Sequence, residues 1–479
     1  MLLESEMNKT EHSFLQSSIQ KTSLSGDLDF VLRWLQEQNE KVSVNVEQIA
    51  FKAMKQWKLD PQMGSLRHDS GRFFSIDGIR VSTNWGHQST WDQPIINQPE
   101  IGYLGFIVKN FNGVLHFLVQ AKVEPGNVNN VQLSPTIQAT RSNYTQIHKG
   151  NKPLYLEYFQ QVKSDNVLLD QLQSEQGGRF LMKRNRNIII HVEEDLPIYD
   201  NFIWLTLGHI KELMRFDNLV NMNTRTVISG IHYGEFDDEI VESLQYLITR
   251  ESTITADNGF FKSAITSKNT VNNVTDIFHF LTDIKSKYDL FVDKISLNEV
   301  KLWDVLDDEI SRKDNKFFKV IGVNVDISNR EIVSWQQPMI QPTQPGICAF
   351  VCKKIKGVVH FAVQAKLECG NRDIIEMAPT VQCLLGDSRA EDSLPVPFLD
   401  YILGASKGKI VFDTLQSEEG GRFYREQNRY IIVMADKSIS EELPESFIWM
   451  TLNQLHYFNQ FNNYLNIQAR SLIAAISFT

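Results

Sequence analysis

Gly113 to Asn127 reads GVLHFLVQAKVEPGN, and Gly357 to Asn371 reads GVVHFAVQAKLECGN. Eleven of these 15 positions are identical, at an offset of 244. LQSEQGGRF (Leu172 to Phe180) returns as LQSEEGGRF (Leu415 to Phe423) at an offset of 243, and FIWLTL (Phe202 to Leu207) returns as FIWMTL (Phe447 to Leu452) at 245. A near-constant offset over such distances means one domain written twice. A period this long is a domain duplication and not a solenoid repeat.

The duplication sets the organisation of the 479 residues. Residues 1–26 are polar and read as a flexible N-terminus. Copy one spans 27–234, because TVISGIHYG (226–234) aligns with the last residues of the chain, SLIAAISFT. Residues 235–275 read as a linker with a helix in EFDDEIVESLQYLITRES, and copy two spans 276–479. Within copy one, DLDFVLRWLQEQNE and VEQIAFKAMKQWKLD read as helices. GRFFSIDGIRVST reads as strand, with Asp77 and Gly78 supplying a turn. GYLGFIVKNF and GVLHFLVQAKVE form a hairpin across Asn112-Gly113, and NIIIHV is a further strand. FIWLTLGHIKELMRF carries apolar residues at Ile203, Leu207, Ile210, Leu213 and Met214, a helical spacing. Each copy therefore mixes strands and helices and suits an α+β domain.

Composition removes several classes. Hydrophobic content of 42% and charged content of 22% are those of an ordinary globular protein. The net charge of -10 argues against an extended nucleic-acid footprint, which wants a basic face. No apolar run reaches the roughly 18 to 20 residues that span a bilayer. The N-terminus has no apolar h-region, so a cytoplasmic protein is expected. All four cysteines, Cys348, Cys352, Cys369 and Cys383, lie in the second half, opposite Leu104, Val108, Pro125 and Ala139. A disulfide or zinc site is therefore not part of the shared domain, and Cys348 and Cys352 read as buried thiols. There is no P-loop, no GxGxxG before a helix, and no HExxH, GxSxG or CxxC.

Three polar elements remain as candidate sites. Gln120, Lys122 and Glu124 alternate along one face of a strand and return as Gln364, Lys366 and Glu368. LQSExGGRF is the second element: Gln173, Ser174, Glu175, Gly177, Gly178 and Arg179, with Gln416, Ser417, Glu418, Gly420, Gly421 and Arg422. Paired glycines let a backbone approach a ligand and offer N–H groups, and arginine can pair bidentately with phosphate. The third is asymmetric. Thr140, Arg141, Ser142, Asn143 and Tyr144 follow SPTIQA in copy one, whereas copy two continues as CLLGDSRAEDS with Arg389 nearby. Copy one is therefore the candidate for chemistry. Trp57 and Trp303 recur at matching places, as do Trp91 and Trp335; an indole can stack on a base or pack in a core. His116 and His360 recur inside a strand and read as structural.

VQAKVEPGN, SPTIQATRSNY and LQSEQGGRF, together with the duplication, resemble the NDP-hexose 2,3-dehydratases of 2,6-dideoxysugar biosynthesis. The resemblance covers about Asp27 to Thr479. It implies action on dTDP-4-keto-6-deoxy-D-glucose, a Nudix-like α/β/α sandwich in each half, a homodimer, and a downstream NAD(P)H-dependent 3-ketoreductase to capture an unstable diketo product. The Nudix hydrolase box is found in neither half, so metal-dependent pyrophosphate hydrolysis and a required metal are not expected; the implied dehydration moves no hydride, so no redox cofactor is expected either. The reaction needs a base at C3, a donor to the C4 oxygen and an acid at the C2 hydroxyl. Tyr144, Lys122 and Glu175 are the candidates for these roles. Arg141 and Arg179 would hold the diphosphate, and Trp57 or Trp303 would stack on thymine. A Nudix-type nucleotide-sugar hydrolase and a non-catalytic nucleotide-sugar binding protein are the rival readings.

Overall fold

The computed structural model describes residues 2–141, 152–236, 241–242, 259–328, 332–388 and 395–478. Among these residues the chain forms four sheets, in two matching pairs. Each copy has a mixed seven-stranded sheet. In copy one the main path is Val167–Ser174, Arg184–His191, Tyr103–Phe111, Val114–Val123, Phe202–Thr206. Arg184–His191 runs parallel to Tyr103–Phe111, and the remaining pairs are antiparallel. The hairpin forms at Asn112-Gly113, with φ of 51° and 83°, the two positive values that a tight two-residue turn requires.

The two five-stranded sheets exchange strands. Val44–Ile49 of copy one pairs with Phe318–Ile327 of copy two, from Val44 opposite Ile327 to Ile49 opposite Gly322. Leu290–Ile295 of copy two pairs in the same way with Ser75–Thr83 of copy one. This overturns the helix expected in VEQIAFKAMKQWKLD, which is strand at Val44–Ile49 and Trp57–Asp60 around a short turn at Phe51–Ala53. Local helical spacing loses because the partner copy offers a full row of backbone groups and a half-buried surface for Val44 and Val46. The strand Ser75–Thr83 runs straight through Asp77-Gly78 without the expected turn. A Cβ at Gly78 would lie 2.8 Å from the Ile295 carbonyl of the exchanged strand, so the glycine makes room for it. FIWLTLGHIKELMRF also divides. Phe202–Thr206 is strand, Thr206 caps the His209 N–H, and Leu207–Leu213 is helix.

The N-terminus is not a free tail. Leu2–Ile19 is helical, and Phe14 and Leu15 are buried in the main core. The Ser17 Oγ donates to the Leu115 carbonyl at 2.6 Å and accepts from the Leu207 N–H. Ser263 does the same to Val359 and Leu452. FLQSSI (14–19) and FFKSAI (260–265) are thus counterparts at an offset of 246, and Phe260–Ile265 packs as part of copy two rather than as linker. The polarity of residues 1–26 hid one apolar stripe that is enough to dock the helix. The helix expected from residue 235 falls mainly outside the described residues.

One apolar cluster runs through both copies, from Phe106 and Phe117 to Phe350 and Phe361, with helices Met222–Ser229 and Ile467–Ala474 in contact between them. Cys348 and Cys352 are buried free thiols within it, as the sequence suggested. His116 and His360 are structural. Each ring bridges a carbonyl two residues back and the N–H of a distant segment, at Leu24 and Val271 respectively.

Candidate active site at the join of the copies

The polar face expected on the QAK strand forms. Lys122 Nζ donates to the Gln138 carbonyl at 3.2 Å, and Gln138 Nε2 donates to Glu124 Oε1 at 2.6 Å. Copy two repeats this with Lys366, Gln382 and Glu368 at 3.2 and 3.0 Å. Gln120 shares the face of Lys122 and is half-buried.

The Gly-Gly-Arg turn that completes each group comes from the other copy. The Gly126 N–H donates to the Gly420 carbonyl at 2.8 Å, and the Gly370 N–H donates to the Gly177 carbonyl at 2.7 Å. A Cβ at Gly177 would sit 2.0 Å from Asn371 Oδ1, and one at Gly420 would sit 2.1 Å from Asn127 Oδ1. The first glycine of each pair, Gly177 or Gly420, is therefore required for close packing between copies, a reason for glycine that the phosphate-cradle reading did not include. The second glycine is roomier at Gly178, where the nearest atom to an added Cβ is Glu368 Oε1 at 3.7 Å. Gly421 would meet the carboxylate of Glu419 at 2.7 Å.

The arginines follow their turns across the join. Arg422 lies over the Phe74 ring of copy one at 4.2 Å and donates from Nε to Gln98 Oε1 at 3.2 Å. It adjoins Glu124 and Glu100 electrostatically. Arg179 lies over Phe318 of copy two at 4.2 Å and adjoins Glu368 and Glu426. Arg179 therefore serves the second composite site, and Arg422 takes the place expected of it in the first. Gln173, Ser174, Gln416 and Ser417 are buried in the same join. Gln173 Nε2 donates to the Asn459 carbonyl and Gln416 Nε2 to that of Met214, both at 2.8 Å. Ser174 Oγ donates to Glu376 at 2.7 Å and Ser417 Oγ to Gln132 at 2.8 Å. Arg225 and Arg470 donate to the carbonyls of Ser417 and Ser174. In this structure these residues join the two copies, and their part in ligand binding remains a proposal.

Glu175 is buried in the first composite site. Asn185 Nδ2 donates to its Oε1 at 2.6 Å, while Oε2 has no hydrogen-bond partner among the described residues. Burial pushes its pKa up, opposed by Lys183 and Arg470. Lys183 is 5% exposed, and burial lowers its pKa to about 8 against the pull of Glu175 and Glu419. Burial also raises the pKa of Glu419, which reaches in from copy two beside Arg422 and Glu124. In the second site Glu418 matches Glu175, with Asn428 and Tyr430 donating to its Oε1 at 2.7 and 3.0 Å. Glu426 stands where Lys183 stands in the first, and Gln176 stands where Glu419 stands. Gln176 Nε2 donates to Glu418 Oε2 at 2.8 Å. Sequence reasoning did not select Lys183 or Glu419. The charge reversal of Lys183 against Glu426, at the offset of 243, was the available signal.

Trp57 and Trp303 lie in a core cluster instead of presenting an exposed ring. They are buried, with indole N–H groups donating to the carbonyls of Gln336 and Asp92, and their rings pack 4.7 and 5.0 Å from Phe74 and Phe318. Burying an indole on all sides, with its N–H satisfied, removes more apolar surface from water than stacking one face on a base. Trp91 and Trp335 are half-buried and nearer the turns. Each donates to a glutamine, Gln93 or Gln337, that in turn donates to the Gly178 or Gly421 carbonyl. Thr140 and Arg141 follow the strand Ile137–Ala139, and Thr140 lies beside Gly102, whose N–H donates to Asn185, the residue that also donates to Glu175. Ser142, Asn143, Tyr144 and Arg389 lie outside the described residues.

The profile of the NDP-hexose 2,3-dehydratases matches residues 28–231 and again residues 274–476. The chain belongs to the NDP-hexose 2,3-dehydratase family. A relative from Saccharopolyspora spinosa, named dTDP-4-dehydro-6-deoxy-alpha-D-glucopyranose 2,3-dehydratase, is 42% identical over 92% of this chain and 90% of its own. Relatives of the same name from Amycolatopsis orientalis and Streptomyces violaceoruber are 39% and 38% identical, over 93% and 92% of this chain and 89% and 95% of their own. Each matched segment of this dehydratase-family chain holds one seven-stranded sheet together with strands of the five-stranded sheets, and neither contains a complete composite site alone. No helix among the described residues is long and apolar enough to cross a membrane.

Proposed function

We propose that the chain dehydrates dTDP-4-keto-6-deoxy-D-glucose across C2 and C3. The C4 ketone acidifies the C3 hydrogen. A base removes that proton, the enolate carries the charge onto the C4 oxygen, and the C2 hydroxyl leaves with a proton as water. The resulting enol tautomerises to the 3,4-diketo-2,6-dideoxy sugar nucleotide. No hydride moves.

The observation that carries this reading is the first composite site. It sets two buried carboxyls, Glu175 and Glu419, beside the cations Lys183 and Arg422, a set able to take one proton and give another near neutral pH. Lys122, Arg141 and Tyr144 remain proposed contributors, with Arg422 in place of Arg179 as the cation nearest the site. The family resemblance also supports a Nudix-like fold for each unit, a cytoplasmic homodimer, and a reductase that captures the diketo product.

The test is incubation with the substrate after EDTA treatment and gel filtration, followed by mass spectrometry. Loss of one water is expected. Release of a sugar phosphate would point to a hydrolase, and an unchanged ligand to a binding protein.

A further inference from the structure

Two composite sites occupy one molecule, built from the same motifs, and they differ in charge where it matters. Around the first lie Glu175 just after the strand Val167–Ser174, Glu100 before Tyr103–Phe111, and Glu419 and Arg422 on the turn of copy two. Lys183 stands among all four, with its Nζ donating to the Glu100 carbonyl. Around the second, the same position is Glu426, whose Oε2 has no hydrogen-bond partner among the described residues. Glu100 is matched there by Gln344 and Glu419 by Gln176. A buried cation on a stem as long as lysine is costly unless it compensates charge, and here it faces three acidic side chains and one arginine.

We propose that Lys183 is the positioning residue that makes the first composite site, and not the second, competent for proton transfer, its charge opposing the burial that favours the neutral forms of Glu175 and Glu419. The proposal deepens the dehydratase reading and rests on it. A carboxylate can act as base at C3 only when ionised, and burial alone drives both side chains towards the neutral acid. Lys183 opposes that drift from within the same dry cluster. Glu426 at the mirror position offers no such cation and is itself driven towards the neutral acid by burial and by Glu418 beside it. The second site is thereby left to bind without reacting.

The experiment compares Lys183→Met, Lys183→Arg and Lys183→Glu with the wild type in kcat and kcat/KM against pH, alongside calorimetric binding of dTDP. Wild-type turnover comes first: if the wild type releases no water from the substrate, the dehydratase reading has failed and Lys183 is not at issue. Given turnover, the Met variant should lose roughly 10- to 100-fold in kcat at pH 7. Removal of the cation raises the carboxyl pKa values, so the acid limb of kcat/KM should move to higher pH by about one unit or more, and activity should recover partly as pH rises. Binding of dTDP should change little. The Glu variant, which copies the second site, should be the least active, and Arg should keep the wild-type limb. An unshifted limb in the Met variant overturns the proposal, as does equal loss of turnover in Met and Arg. Should the Met protein not fold, the Arg variant decides, because a displaced limb with the charge retained refutes a charge-compensating role for Lys183.

Discussion

Gly370→Ala probes the join between the copies most directly. A Cβ at Gly370 would stand 1.8 Å from the Phe180 carbonyl oxygen and 2.5 Å from that of Gly177. Both atoms are backbone, so no rotamer relieves the clash, and the turn would have to retreat by about 1.5 Å to reach ordinary contact. That retreat breaks two hydrogen bonds, Gly370 N–H to the Gly177 carbonyl and Met182 N–H to the Gly370 carbonyl, both 2.7 Å. Each is worth roughly 0.5 to 1.5 kcal/mol, and the overpacking adds about 1 to 3 kcal/mol. A loss of about 4 kcal/mol is expected, read as a lower denaturation midpoint at unchanged slope. Gly357→Ala is the control. Its φ of 82° also disfavours alanine, but nothing lies within 4 Å of the added atom. Strain alone should cost it about 1 to 2 kcal/mol. If Gly370→Ala unfolds no more readily than Gly357→Ala, the turns are not clamped between copies and the composite-site geometry is wrong.

Lys211 gives a pH prediction. It is fully buried, donates to the Ile476 carbonyl at 2.7 Å, and burial lowers its pKa to about 7 from an unfolded value near 10.5. Between these values the unfolded chain binds more protons, so this residue makes stability rise from pH 7 to about 10; Lys211→Met should remove that rise and raise stability at pH 7, measured by denaturation across the range. Because Val44–Ile49 and Leu290–Ile295 are exchanged, residues 1–250 or 251–479 expressed alone should be insoluble or self-associated, and co-expression should restore a soluble pair that co-purifies. Independent folding of either half as a stable monomer would contradict the exchange. Tyr144→Phe should lower kcat by roughly 100-fold or more while dTDP affinity holds, if the phenol takes part in proton transfer. Normal turnover in that variant would remove Tyr144 from the mechanism.

The sequence by itself determined the duplication, the mixed α+β content, the Asn112-Gly113 hairpin, the buried thiols and the family. Each rests on local chemistry or on repetition, which a chain displays without folding. Tertiary structure alone decided which copy completes which site. Arg179 and Arg422 are equivalent in sequence, and only the packing of Gly126 on Gly420, and of Gly370 on Gly177, sends each arginine to the opposite strand. The same holds for Val44–Ile49. Its helical spacing was real, but the free backbone of Phe318–Ile327 in the other copy outweighed it. Trp57 and Trp303 looked like stacking platforms until the sheet closed over them. Repetition also concealed as much as it revealed. Lys183 and Glu426 break the repeat at one position, and that break acquires meaning only when folding buries the lysine among Glu175, Glu419 and Arg422.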